Sequence, residues 1–239
     1  MLVDLPDPTR TVQVIGAYRH LSRDRASSQP KAALRGTHIT YALQHLKTAD
    51  EARDLRAKAL LAVAYCTMAR RAELVTLRVE DLSFNTDTGD GVALIRNTKA
   101  RREESRYLSR EAVSWLRAWV DYAQITDGAV FRRFANTGGV GQSAMAPQEV
   151  ARIIQRAGRL LNGAAGPADF AWPREHLAAH STRIGAAHDL AASGLDLTSI
   201  MHSGGWNDPK MPRCYTRGLA VQESAMARMM KARKQNLKP

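Results

Sequence analysis

Apolar residues recur at intervals of three and four along most of this chain and alternate with polar residues in one central region. The first pattern predicts helices and the second a small sheet. From Gly36 the helical spacing dominates. Thr48 and Glu51 have the Ser/Thr-x-x-Glu spacing of a capping box, and the helix they predict runs through Leu55, Leu60, Leu61, Val63 and Tyr65. Its second half is apolar on most sides, which predicts burial. Leu82 and Phe84 alternate with polar neighbours and lead to the turn signal Asp87-Thr88-Gly89-Asp90-Gly91. Strands are predicted over 82–84, 92–95 and 106–108, with the very basic stretch 96–104 as the loop between the last two. Ser109 is placed to cap a helix through Trp115 and Val120. Residues 138–141 read as a flexible glycine loop. A helix over 147–161 puts Arg152, Arg156 and Arg159 on one face at spacings of four and three, and 162–167 ends it. Further helices are predicted over 174–192, 197–202 and 219–234. The fold class is mainly α with a small antiparallel β-sheet (α+β).

The first residues read differently. Val12, Ile15 and Arg19 fit one helix over 11–21, and 22–36 is polar, with Ser27, Ser28, Pro30 and Gly36, as in a linker. One short helix cannot build a core. Residues 1–34 are therefore expected to be an arm or a remnant of an upstream domain plus linker, and 35–239 the main domain. The chain's 239 residues are enough for one well-cored domain. Its two cysteines, Cys66 and Cys214, exclude a disulfide framework or a Cys-rich zinc module. The longest apolar run, 57–69, is too short to cross a bilayer. Residues 1–10 lack the basic and apolar regions of a signal peptide. The expectation is a soluble, cytoplasmic protein with no membrane partner.

Charge narrows the partner. Lys and Arg number 35 against 23 Asp and Glu, a net charge of +12. Such an excess asks for an anionic partner, nucleic acid foremost, because each phosphate neutralised releases counterions. Aromatics make up only 6% of the chain, which argues against stacking on single strands and favours duplex DNA met through its backbone.

Four stretches carry polar residues that a plain helical core does not need. Arg70 and Glu73 follow directly on the apolar helix, and an arginine so placed requires a carboxylate or phosphate partner. Arg71 stands beside Arg70, but the apolar run and the spacing to Glu73 favour Arg70. Asn97-Thr98-Lys99 falls at the tip of a predicted hairpin, in a loop shared with Arg96, Arg101 and Arg102. His180 and Arg183 are three apart and fall on one helical face. Gly204-Gly205-Trp206 precedes Tyr215 by nine residues. A metal reading of His176 and His180, four apart, lacks the His-Glu-x-x-His order and a third ligand. Cys214 has no feature that predicts a reactive thiolate.

Taken in order, the Arg, Lys, His-x-x-Arg, Trp and Tyr signals, with a hairpin between the first two, resemble the catalytic domain of the tyrosine recombinases, the phage integrase family. The resemblance covers about residues 35–235. No single motif in it is specific; the ordered set is.

The resemblance implies a site-specific DNA recombinase. In it Tyr215 attacks a phosphodiester, forms a 3′-phosphotyrosine link and releases a 5′-hydroxyl. The bond energy stays in the enzyme–DNA link, so neither a nucleotide cofactor nor a metal is expected. Arg70 and Arg183 match the family's paired arginines, whose planar forks suit phosphate oxygens. His180 matches the residue that accepts the tyrosine proton or binds the phosphate. Lys99 matches the lysine that protonates the leaving 5′-oxygen. Trp206 stands where most of the family has His, and an indole can only donate. Glu73 is implied to hold the cationic groups in place. The helix over 147–161 corresponds to one that enters the major groove, with Arg152, Arg156 and Arg159 toward DNA and Gln148 near a base-reading position. Leu219, Met226, Met229 and Met230 form an apolar stripe on a last helix, which in the family docks on a neighbouring protomer and builds a tetramer on DNA. The implied two-domain clamp is longer than this chain. Type IB topoisomerases, telomere resolvases and a DNA-binding accessory protein without chemistry are the alternatives. Relaxation of supercoils without site preference, or binding without cleavage, would distinguish them.

Overall fold

A computed structural model describes residues 31–97, 102–136, 138–163, 166–167, 170, 176–216, 226 and 229. The helix expected over 11–21 lies outside them, as do Leu219 and Met230 of the last helix. Helices α1 (Gly36–His45), α2 (Glu51–Thr67) and α3 (Arg71–Thr76) come first, then a 3-10 turn, Val79–Asp81. Strands β1 (Leu82–Phe84), β2 (Gly91–Asn97) and β3 (Arg102–Leu108) follow, then α4 (Arg110–Tyr122), β4 (Arg132–Phe134) and β5 (Val140–Ala144). Helices α5 (Pro147–Leu161), α6 (Ser181–Ala192), α7 (Leu197–Gly204) and α8 (Lys210–Thr216) complete the order. No helix among the described residues is long and apolar enough to cross a membrane.

Helix α2 is the centre, as its apolar sequence predicts. Ala57 and the six consecutive residues Ala59, Leu60, Leu61, Ala62, Val63 and Ala64 are all buried, and α1, α4, α5 and α6 pack around it. Its cap differs from the expectation. Asp50, not Thr48, accepts the free N–H of Arg53 at 2.9 Å. Thr48 instead donates, through its N–H and its hydroxyl, to the Asp54 carboxylate. A carboxylate one turn inside the helix outcompetes the box, because it accepts both of the threonine's donors.

The sheet is antiparallel, in the order β1-β2-β3, and its hairpin is longer than predicted. Arg96 pairs with Glu103 and Asn97 with Arg102, so most of the expected basic loop is strand. Opposite charges across the strands support that extension. The small sheet of β4 and β5 replaces part of the expected glycine loop. Ser109 caps α4 as predicted, accepting from the Ala112 N–H at 3.2 Å.

Two further departures shape the site. Ala32 and Leu34, in the stretch read as linker, are fully buried, and their N–H groups bond the His176 and Ser181 carbonyls. The helix expected over 174–192 is helical from Ser181. There the Ser181 hydroxyl accepts from the Ala178 N–H at 3.0 Å while the Ser181 N–H donates to the Ala178 carbonyl, which fixes a turn instead of helix.

Candidate functional site

Helix α2 ends at Met68, whose backbone is left-handed at φ 51°. That conformation is costly for a side chain with a Cβ. It turns the chain so that α3 begins at once and the Met68 carbonyl faces α6. Arg183, on the first turn of α6 and only 2% exposed, donates from Nη1 to that carbonyl. Its Nη2 is buried with no partner.

Arg70 stands at the N-cap of α3. Its N–H and its Nη1 both donate to the Glu73 carboxylate, each at 2.7 Å. Glu73 is buried while the Arg70 side chain is 40% exposed. The acid therefore sits beneath the arginine and holds it, with the guanidinium toward solvent.

Trp206 closes the other side. The Arg183 guanidinium carbon lies 3.9 Å from the indole centroid, a cation–π stack. A Cβ on Gly204 would run into the same indole, so glycine is required there. Gly205 takes the left-handed cap of α7 at φ 59°. The Tyr215 ring lies 6.0 Å from the Trp206 ring, tilted by 60°. Both rings pack on Met68, Ala186, Ala187 and Ile200.

The electrostatics follow from this packing. Burial, then Arg70, draws Arg183 down to about 10, which leaves it charged at neutral pH. Burial, then Arg183, Arg71 and Arg70, lowers His180, so the imidazole is neutral at pH 7. Burial raises the Tyr215 phenol, against the pull of Arg183 and Arg70, so the phenol holds its proton. The cluster presents a proton-bearing tyrosine, a neutral histidine at the N-cap of α6, and two arginines, one of them held by a carboxylate.

Six residues expected at the site thus come together: Arg70, Glu73, His180, Arg183, Trp206 and Tyr215. Lys99 and Arg101 lie outside the described residues, and Arg102 contributes its strand position. Arg96 is turned to the buried Asp81 carboxylate at 2.6 Å and to Glu103 at 3.2 Å. On α5, Gln148, Arg152 and Arg159 are exposed along one stripe. Arg156 is turned inward, to Asp54 at 3.0 Å.

The sequence reading missed Arg106. This buried side chain donates to the His202 carbonyl at 3.2 Å and to the Ser203 carbonyl, and pairs with Glu104. A cation on the last carbonyls of α7 suits the helix dipole and fixes the turn into Trp206. Strand alternation carried a signal for it. Arg106 is two residues from the buried Leu108 and opposite the buried Ala93, hence inward.

The fold is that of tyrosine recombinase catalytic domains, a helical body with an antiparallel hairpin. The phage integrase family model matches residues 33–220, and the chain belongs to that family. It is 27% identical over 242 residues to the recombinase cre of Escherichia phage P1, covering 95% of this chain and 69% of that protein. It is 26% identical over 236 residues to an integrase/recombinase xerD homolog of Selenomonas ruminantium, covering 93% of this chain and 65% of that one. Among solved structures, the XerH site-specific recombinase bound to a palindromic difH substrate, in a post-cleavage complex, superposes with a TM-score of 0.62 at 16% identity. That match covers 87% of this chain and 54% of XerH. The Tn1549 transposon integrase in complex with transposon right end DNA gives 0.59 at 16% identity, over 86% and 67%.

Proposed function

We propose that this chain is a site-specific recombinase that cleaves and rejoins duplex DNA through a 3′-phosphotyrosine link at Tyr215, without a metal ion. The observation that carries the reading is Arg183. A charged side chain buried this deeply with a free Nη2 is costly unless an anion completes it. A phosphate non-bridging oxygen, with Arg70 on its other side, supplies that anion.

The Tyr215 oxygen attacks phosphorus, and the bond to the 5′-oxygen breaks. The phenol proton passes to the neutral His180. A second proton reaches the leaving 5′-oxygen, and by its place in the family's order Lys99 delivers it. Negative charge grows on the non-bridging oxygens between Arg70 and Arg183, where preformed donors need no rearrangement. Rejoining reverses each step, with the 5′-hydroxyl as nucleophile. Two guanidinium groups do here the charge work that a metal does in other phosphoryl-transfer sites.

Gln148, Arg152 and Arg159 on the exposed stripe of α5 would meet the duplex. Met226 and Met229, 65% and 54% exposed, fit a C-terminal helix that docks on a second protomer and builds a tetramer on DNA. Scattering mass on DNA, with and without residues 219–239, tests that assembly.

The test of the chemistry is a nicked suicide duplex carrying the sequence this chain selects from a randomised pool, with EDTA present. A covalent adduct is expected from the wild-type chain and none from Tyr215→Phe. Adduct in that variant, or in wild type only when a divalent ion is added, sinks the reading. Relaxation of supercoils without site preference would make it a topoisomerase.

A further inference from the structure

Trp206 lies on the Arg183 guanidinium at 3.9 Å, and such a stack needs a fixed indole. The element that delivers the indole is lightly held. Of the eight residues of α7 only Ile200 and Gly204 are buried. Open space lies on both sides of its end. One cleft, of about 500 Å³, has Met68, Arg106, His202 and Ser203 in its walls. Another, of about 460 Å³, has Glu104, Arg106, His202 and Trp206. Packing alone therefore leaves the turn into Trp206 room to shift, and Arg106 stands in the wall of both clefts.

We propose that Arg106 is a positioning residue for the anion clamp: it holds the carbonyl end of α7, so that Trp206 keeps its place on Arg183 and the Arg183 Nη2 stays aimed at the phosphate. The inference rests on the reading of Arg183 as that clamp.

The last carbonyls of a helix lack partners within it. At the end of α7 the Trp206 N–H returns to the Met201 carbonyl at 2.9 Å and the Gly205 N–H to the His202 carbonyl at 3.2 Å. Arg106 Nη1 adds a second bond to the His202 carbonyl, at 3.2 Å, and one to the Ser203 carbonyl. One side chain thus grips two successive carbonyls directly before Gly204-Gly205-Trp206. Its Nη2 pairs with Glu104, which offsets the cost of burying the cation. The fit against the turn is close, since a Cβ on Gly205 would overlap both Nη2 and the Glu104 carboxylate. Arg106 is itself anchored. It sits in β3 opposite Ala93 of β2, and Ala93 and Leu108 are fully buried. The tie therefore runs from the sheet to α7. Arg183 has two restraints of its own, the bond from Nη1 to the Met68 carbonyl and the indole face. The bond alone lets the guanidinium swing about it; the face stops the swing. A donor displaced by a fraction of an ångström to one ångström costs rate without costing substrate.

The experiment is single-turnover adduct formation by the full chain on the selected suicide duplex, beside DNA affinity at several salt concentrations and thermal melting. Arg106→Met keeps much of the side chain's length and removes its donors. It is expected to bind DNA with the wild-type salt slope and to cleave about 10- to 100-fold more slowly. Trp206→Leu and the double variant complete a cycle. Where Arg106 acts through Trp206 the two losses do not multiply, and replacing Arg106 in the Trp206→Leu background is expected to slow cleavage by less than about twofold. Lys99 lies three residues before the start of β3 in sequence, so leaving-group protonation needs its own control. A duplex with sulfur in place of the bridging 5′-oxygen supplies it, since a thiolate departs without a proton. The Arg106→Met defect is expected to persist on that duplex. Where methionine lowers the melting temperature, Arg106→Met joined to Glu104→Gln, which removes the carboxylate left unpaired, is read in the same cycle. A wild-type rate without the Arg106 donors overturns the inference, and so do losses that multiply in the double variant. So does rescue by the sulfur duplex, or a drop in salt slope, which would make Arg106 a phosphate contact. A wild-type chain that binds the duplex and forms no adduct defeats the proposed chemistry itself, and this inference with it.

Discussion

Arg183 meets neutral groups, the Met68 carbonyl and the Trp206 face, and holds its Nη2 in reserve. Arg183→Lys keeps the charge but loses the fork and the stack. Its cleavage rate is expected to fall by about 100-fold or more, the cost of a lost oxyanion donor, while binding to the selected duplex changes little. Single-turnover cleavage beside equilibrium binding measures both. His180 gives a pH test. Its ordinary value is about 6.5, and burial and three arginines lower it, so the neutral base persists to mildly acidic pH. If it accepts the tyrosine proton, kcat/KM for cleavage falls only as pH drops through a midpoint below that value. His180→Gln should remove this acidic limb along with most of the rate. A limb centred above neutrality, or one that survives the substitution, excludes His180 as the base.

Elements are where packing decides what side-chain pattern cannot. Helix α6 passes so close to the entering strand of chain that a Cβ on Gly185 would overlap the Leu34 carbonyl. Gly185→Ala therefore forces α6 away from residues 34–35, and overpacking of this kind costs about 1–3 kcal/mol. Urea unfolding should show that loss, and cleavage should fall with it because α6 carries Arg183. A fully stable, fully active variant would show that α6 is not held there. Helix α5 and the Ser109 cap of α4 were legible in the sequence because spacing and side-chain caps are local signals. The break at Met68 was not, since a left-handed methionine has no signature. Pairing of β4 with β5 was hidden by glycines that fit a loop equally well. Within the site, Arg70, Glu73, His180, Arg183, Trp206 and Tyr215 were legible only as an ordered set. Arg106 escaped because it acts on carbonyls, and any residue supplies a carbonyl. Asp50, which takes the cap that the spacing of Thr48 and Glu51 predicts, escaped because its carboxylate accepts a backbone N–H, and every residue but proline supplies one.

Over the whole molecule, a net charge of +12 says that an anion is wanted but not which cations meet it. The structure separates them by what they already hold. Arg152 and Arg159 are exposed on α5, and no carboxylate pair engages either among the described residues. Arg156, between them in sequence, spans to the buried Asp54, which also takes both donors of Thr48. The two groups should fail differently. If Arg152 and Arg159 each neutralise a phosphate, their joint replacement by alanine lowers the slope of log affinity against log salt by about 1.8. Exposed positions of this kind shift folding by only about 0.5 kcal/mol, so the melting curve should hold. Arg156→Ala leaves the Asp54 carboxylate short of its cation, and loss of a hydrogen bond to a charged group costs about 1.5–3 kcal/mol of stability. Its salt slope should stay near wild type. Titrations at several salt concentrations, paired with urea unfolding, compare the two variants directly. If Arg156→Ala changes the slope and spares stability, the pair with Asp54 opens on DNA and α5 meets the duplex with all three arginines.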